Sequence, residues 1–400
     1  MIIGIIGGGA SGMAAALAAS ENPDVTVYLF ERQARLGRKL QATGNGRCNL
    51  TNIHAARGGY HGQDQSFVLP ALTRFDPEET LSWFRHLGLY TVCEPSGRVY
   101  PYSDQANSVL DVLRFALNKP NIQVFTGTEV SKVRRDERVF SVNELHCDRL
   151  IIACGGLAGS KLGGTMSGYQ LLRSMGHRMT KLRPALVQLK CSWKGIVALK
   201  GVRANCHAAV YQDGTLHSES TGEVQFTEYG LSGPVIFEVS RDACHGAGEW
   251  TCRLDLLPEM SADELFSELS NRRRTELPAE ELLTGILHNR LGKVIAKLAE
   301  ITVKRMAFEL SDRELREVCG YVKSFEIPLT EPLGMDSAQV TAGGIITEDF
   351  DPNTMESKLV PGLYACGEVL DIDGDCGGYN LQWAWSSGRC AGLHAGKEAT

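Results

Sequence analysis

Two hydrophobic periods alternate along the first half of the chain. Residues 2–6 form a short apolar run fit for a buried strand. Residues 10–20 carry an alanine-rich helical pattern, and residues 25–30 are a second apolar run. Helical patterns at 77–87 and 108–117 and an apolar run at 150–153 continue the alternation, which predicts α/β structure over residues 1–186. From 187 the texture changes. Stretches 187–191, 203–212, 223–227 and 251–256 read as strands separated by turn residues such as Asp213-Gly214, with no helical pattern among them. An antiparallel sheet or small barrel is therefore expected over 187–260. Residues 261–269, 280–290, 293–300 and 311–322 predict helices across 261–326. Ser261 and Asp263 mark one start, and Ser311-Asp312-Arg313-Glu314 has the form of a capping box. Residues 327–400 return to strand, glycine and helix. The order predicts an α/β domain interrupted by an inserted sheet-plus-helix module.

The first strand-to-helix turn carries candidate chemistry. Gly7-Gly8-Gly9-Ala10-Ser11-Gly12 fits G-x-G-x-x-G, and the second strand ends in Glu31, 19 residues after Gly12. In that pattern Gly7 permits the tight turn, Gly9 lets a pyrophosphate approach the backbone, and Gly12 lets helix and strand pack closely. The free N–H groups of the helix, from Ala10 and Ser11 onward, offer positive potential to phosphates. Glu31 can accept hydrogen bonds from ribose hydroxyls and disfavours a 2′-phosphate. The expected ligand is FAD or NAD rather than NADP.

Composition sharpens this. Of the 400 residues 43 are glycine, about 11% against a usual figure of about 7%. Residues 187–326 hold 11 of them in 140 positions, whereas the other 260 residues hold 32. The excess therefore belongs to the dinucleotide-binding part, where backbone must lie against a ligand. No apolar run reaches the roughly 18 residues of a membrane span. The first basic residue is Arg32, so the apolar start reads as a buried strand and not as a signal peptide. A net charge of −6 argues against a dominant nucleic-acid footprint. The twelve cysteines form no C-x-x-C pair, and the ten histidines form no HExxH. Reduced, mostly buried thiols in a cytoplasmic protein without a metal site are expected.

Longer motifs extend over the whole chain. Gly37-Arg38-Lys39-Leu40 is followed by Thr43-Gly44-Asn45-Gly46-Arg47-Cys48-Asn49-Leu50-Thr51-Asn52. Later come Gly97-Arg98-Val99-Tyr100-Pro101, Ala153-Cys154-Gly155-Gly156 and Phe226-Thr227-Glu228-Tyr229-Gly230-Leu231-Ser232-Gly233-Pro234. Val340-Thr341-Ala342-Gly343-Gly344-Ile345, Ala365-Cys366-Gly367-Glu368 and Gly377-Gly378-Tyr379-Asn380-Leu381-Gln382-Trp383-Ala384-Trp385 complete the series. This set resembles the aminoacetone-oxidase-like, or BaiN-like, family of bacterial flavoproteins. The resemblance implies FAD bound across a two-dinucleotide-binding-like fold, with the insert forming a small barrel and a helical lid. It implies that Glu368 holds ribityl hydroxyls and that the helix after Gly378-Tyr379-Asn380-Leu381 faces the pyrimidine end of the flavin. The 44–49 loop, with Thr43, Gly46, Arg47, Cys48 and Asn49, would flank the ring, and Arg38 or Lys39 would face the pyrophosphate. Arg32, Ala153, Gly155, Gly156, Gly344 and Gly367 belong to the same implied cradle, and Val130, at a strand end, would make a backbone contact to adenine. The sequence departs from the usual triple glycine at Asn45, which tolerates positive φ, and it places Cys376 where another residue is usual. A small filler is the reading for that thiol.

No second G-x-G-x-x-G lies in mid-chain, so NAD(P)H, if it is the reductant, binds transiently over the flavin. The expected activity is an FAD-dependent oxidoreductase passing hydride between flavin and a small organic substrate. The alternatives are amine oxidation with O2 and reduction of uridine in ribosomal RNA; a non-enzymatic flavin sensor ranks below them. RNA is supported only by the basic residues Arg272, Arg273, Arg274, Lys293, Lys297, Lys304 and Arg305, whose plainer reading is a solvated helix face. His54, Tyr60, His61, Tyr100 and Tyr379 are candidate proton donors. None is singled out as catalytic.

Overall fold

The computed structural model describes residues 1–137, 139–302 and 304–397. The chain divides into two compact units, one of Met1–Pro184 with Gln339–Thr400 and one of Ala185–Ala338.

The first unit is built on five parallel strands: β1 (Ile2–Ile6), β2 (Thr26–Glu31), β3 (Ile122–Thr126), β4 (Arg149–Ile152) and β5 (Leu363–Ala365), in the order β5-β4-β1-β2-β3. Ligand crevices in such sheets open at the carboxyl ends of the strands. Helix α1 (Ala10–Ala19) joins β1 to β2, and nine of its residues are buried. A helix apolar on every side must be enclosed. Here the C-terminal helix, Tyr379–Ala395, supplies the cover. A Cβ at Gly388 or Gly392 would overlap the carbonyl oxygen of Ser11 or Ala15, and one at Gly396 would lie 3.2 Å from that of Ala19. The glycine row at every fourth position thus lets two helix backbones touch.

Hydrogen bonds anchor the other face of the C-terminal helix. The buried Gln382 amide donates to Phe75 O (3.0 Å), Thr80 Oγ1 (2.9 Å) and Ser386 Oγ (2.9 Å), and its Oε1 accepts from Thr51 Oγ1 (2.5 Å). Trp385 Nε1 donates to Leu50 O at 2.9 Å.

Another buried polar group, His177, is expected to make the first unit sensitive to acid. His177 stacks on Phe350 at 4.9 Å; its Nδ1 donates to Leu172 O at 3.0 Å, and its Nε2 accepts from Ser357 Oγ at 2.8 Å. Burial pushes its pKa below the ordinary 6.5, with the Leu172 carbonyl and the Asp349 carboxylate only partly opposing. The unfolded chain therefore takes up the proton first. The stabilisation is complete above 6.5 and is lost as the pH falls below it. Melting temperature is expected to hold on the alkaline side of that value and to drop on the acid side. His177→Gln should flatten the slope in part, because His394 is shifted in the same direction by burial.

The second unit is a closed six-stranded barrel in the order Leu189–Cys191, Gly230–Ser232, Thr215–Phe226, Arg203–Gln212, Trp250–Asp255, Phe325–Pro332. Asp213 and Gly214 both take positive φ (49° and 81°), the turn that matches strand twist in a two-residue hairpin. The capping boxes Ser261/Glu264 and Ser311/Glu314 open the helices Ala262–Arg272 and Asp312–Lys323.

Three expectations are corrected. The stretch 187–260 does contain a helix, Pro234–Ser240, started by proline at its first turn after Gly233. Residues 280–290 are not a helix. A short turn, Ala279–Glu281, precedes Gly285 at positive φ, and the helix begins only at Asn289, where the His288 side chain accepts from Arg290 N. The barrel's last strand, Phe325–Pro332, runs past residue 326, and the second unit extends to Ala338.

Candidate functional site

The glycines between β1 and α1 have separate tasks. At Gly7 (φ 111°) a Cβ would overlap the Ala153 carbonyl, and at Gly12 it would overlap the Gly7 carbonyl. Both positions are needed for turn and packing. At Gly9 a Cβ would meet nothing within 4 Å. The N-terminus of α1 beyond it, with Ala10 and Ser11, carries no side-chain cap and no acid in its first turn. An open, uncapped helix start suits an anion. At the tip of β2, Glu31 Oε2 accepts from Gly8 N (2.8 Å) and Oε1 from Gln33 N (2.7 Å), so the carboxylate also shapes the turn. Arg32 donates to the carbonyl of Gly163 at 2.9 Å. Thr128 N donates to Glu31 O at 2.9 Å and draws in the loop after β3. Val130 is buried in that loop, four residues past the strand, and not at a strand end as expected.

The ends of β4 and β5 meet at a carboxylate. Glu368 accepts from Lys39 Nζ (2.8 and 3.1 Å) and from Thr341 N (2.9 Å). Thr341 Oγ1 in turn accepts from Leu157 N and Ala158 N, both at 2.9 Å. A Cβ at Gly156 would come within 2.5 Å of both Glu368 Oε1 and Thr341 Oγ1, whereas one at Gly155 would meet nothing. Lys39, expected at the pyrophosphate, and Glu368, expected at the ribityl hydroxyls, are thus paired with each other. Arg38 bonds Gln33 Oε1 at 2.8 Å. Gly367 lies so close to the start of α1 that a Cβ would come within 2.6 Å of Ser11 Oγ. Its N–H donates to Ser387 Oγ at 3.0 Å. Ala153 is buried beneath the turn, and Gly344 N donates to Thr180 Oγ1 at 2.9 Å. Thr341 had no spacing signal of its own and becomes visible only through this network.

The 43–49 loop lies beside the start of the C-terminal helix. Thr43 Oγ1 donates to Leu40 O at 2.7 Å, and Cys48 N to Thr43 O at 2.9 Å. Asn45 takes φ 56°, as its place between glycines requires, and a Cβ at Gly46 would meet open space. Arg47 lies 3.9 Å over the Tyr100 ring and pairs with Asp104 and with Glu94 (3.0 Å). Asn49 is 8% exposed, and its buried Oδ1 has no hydrogen-bond partner among the described residues. An orphaned buried acceptor in a loop of this kind is what a ligand donor would satisfy. Next to it, a Cβ at Gly378 would overlap the Thr51 backbone. Asn380 spends its amide on its own turn, bonding Gly374 N (2.8 Å) and Gly374 O (2.7 Å), while Tyr379 and Leu381 stay half-buried. That leaves backbone amides of the uncapped helix start as the donors facing outward.

Three thiols of the cradle are held in the protonated form. Burial pushes Cys48, Cys154 and Cys366 up to about 12. Among the candidate acids and bases, His61 Nε2 pairs with Asp375 at 2.7 Å, and buried Tyr60 donates to Tyr379 O at 3.3 Å with its phenol pushed up by burial. Burial also raises Tyr100.

In the second unit, acidic partners hold Arg272 (Glu268), Arg273 (Asp312), Lys293 (Glu281) and Arg305 (Glu314). That is the pattern of a solvated helix face and lends no support to an RNA surface. No helix among the described residues is long and apolar enough to cross a membrane.

Residues 1–394 match the family described as HI0933-like protein Rossmann domain. The 3-dehydro-bile acid delta(4,6)-reductase of Clostridium scindens is 40% identical over 404 residues, covering 98% of each chain. The ribosomal RNA dihydrouridine synthases of Escherichia coli and Haemophilus influenzae are each 30% identical, covering 96% and 98% of this chain and 95% and 98% of their own.

Proposed function

Since the chain belongs to the HI0933-like family and is an FAD-dependent oxidoreductase, we propose that it reduces a carbon–carbon double bond conjugated to a carbonyl in a small organic substrate. NAD(P)H is the electron source in this reading. The observation that carries the cofactor assignment is the cradle itself: open space over Gly9 and Gly155 around an uncapped helix start, with the orphaned Asn49 Oδ1 beyond it. The substrate class rests on the likeness to the Clostridium scindens reductase.

In this reading the amides of Ala10 and Ser11 hold the pyrophosphate, Glu31 the adenosine ribose, and the Val130 loop the adenine. The Lys39–Glu368 pair and Thr341 set the ribityl side, and Asn49 with the helix start at Gly378–Leu381 sets the flavin end. Bound FAD supplies a hydride donor and acceptor. The chain's own contribution is to fix donors around it in advance. Backbone amides need no reorganisation, and uncapped helix starts stabilise negative charge wherever it develops.

The test is anaerobic. NADH or NADPH should bleach the flavin band, and a steroid 4-en-3-one added afterwards should restore it with formation of the saturated ketone. Bleaching by amines alone, or reoxidation by uridine-containing RNA but not by the enone, would overturn this reading.

A further inference from the structure

We propose that the second unit binds a quaternary ammonium compound in a groove of about 510 Å³ at the end of its helix Asp312–Lys323. Every lining residue lies within that unit, and neither the flavin cradle nor the proposed reaction uses any of them. The volume falls in the range of small-molecule sites.

Trp193 and Tyr321 are the half-buried rings of the groove, and Phe325, 2% exposed, belongs to the core against which Trp193 packs. Trp193 and Phe325 meet edge to face at 5.5 Å and 88°, and Tyr321 adds a third ring beside the aliphatic Leu298. A Cβ at Gly195 would overlap the Trp193 indole, so the ring is fixed by backbone lying against it. A preformed set of aromatic faces attracts cations through the ring quadrupole.

The charges in the groove have one sign. Its charged lining residues are Glu317 and Glu326. Glu326 is partly balanced by Arg253 at 2.8 Å, while Glu317 is exposed on the helix. Gly320, Tyr321 and Ser324 belong to the end of that twelve-residue helix, where the backbone dipole is negative. The basic residue of the last turn does not cancel this. Lys323 Nζ is bonded to Leu257 O (2.8 Å), Met260 O (2.6 Å) and Asp255 (2.7 Å). Arg316, on the same helix, is placed over Phe266 at 4.3 Å.

These features select among cations. A metal ion would need several oxygen ligands at short range, and a primary ammonium would need three acceptors. With Glu326 drawn to Arg253, the groove sets one exposed carboxylate, Glu317, beside rings and aliphatic carbon, a poor match for a metal ion or a primary ammonium. It fits a weakly hydrated cation wrapped in methyl groups.

The test is calorimetric titration of the FAD-loaded protein with choline and with its neutral isostere 3,3-dimethyl-1-butanol. Choline is expected to bind saturably, and the isostere at least about 10-fold more weakly. Trp193→Leu should weaken choline binding by about 5-fold or more, and Glu317→Gln by about 3-fold. Equal affinity for the two probes, no saturable heat with choline, or unchanged affinity in Trp193→Leu would overturn the proposal. If Trp193→Leu fails to fold, Glu317→Gln on the exposed helix face decides, and unchanged affinity there counts against it.

Discussion

Gly9→Val is expected to leave the first unit folded and to weaken FAD binding on the order of 100-fold. The reason is the asymmetry among the crest glycines. Gly9 has φ −81° and ψ −167°, a conformation open to any L-residue, and its Cβ would meet no protein atom within 4 Å. The added side chain would instead fill the space over the helix start where the pyrophosphate is placed. Gly12→Ala is the contrast. Its Cβ would overlap the Gly7 carbonyl, so β1 or α1 has to shift, and stability and FAD affinity should fall together. Far-UV circular dichroism and FAD titration of both variants separate the two outcomes. A Gly9→Val protein that binds FAD as tightly as the parent would remove the crest from the cofactor site.

Gln382→Ala should be the most destabilising polar truncation in the first unit, at about 3 kcal/mol. The amide joins three stretches of chain: Thr51, the segment of Phe75 and Thr80, and its own helix at Ser386. Truncation leaves the Phe75 carbonyl with only the Ser386 hydroxyl (2.6 Å) and the buried Thr51 hydroxyl with only a long bond to Asn52 O (3.5 Å). The same helix carries Gly378 and Tyr379, so loosened anchoring should also lower FAD occupancy. Urea unfolding followed by tryptophan fluorescence reads the effect. A loss below about 1 kcal/mol would show that the network is dispensable.

Much of this was legible in the sequence because the relevant signals are local. The β1–α1–β2 unit declares itself through apolar period, glycine spacing and the acid at position 31, and each reappears where expected. The capping boxes at Ser261 and Ser311 are equally local. What escaped depends on tertiary context. The strand Thr215–Phe226 is mostly polar because much of it is exposed, so only its buried end, near Val224 and Phe226, stands out. The helix at Asn289 takes its start from a histidine cap and a glycine at 285, neither of which outweighs the run of good helix formers before it. The glycine row 388, 392 and 396 was present in the sequence as a four-residue repeat, but its meaning appears only against the backbone of α1. At the proposed site, the pairing of Lys39 with Glu368 and the capture of the Asn380 amide by its own turn are long-range facts that no local pattern announces.

The most direct measurement is to purify the protein, denature it and identify the released flavin by chromatography. The account predicts equimolar FAD, retained or restored by reconstitution, because the Gly9 crest and Glu31 are arranged for a dinucleotide with its adenosine half. Release of FMN, or no flavin even after incubation with FAD, would contradict it.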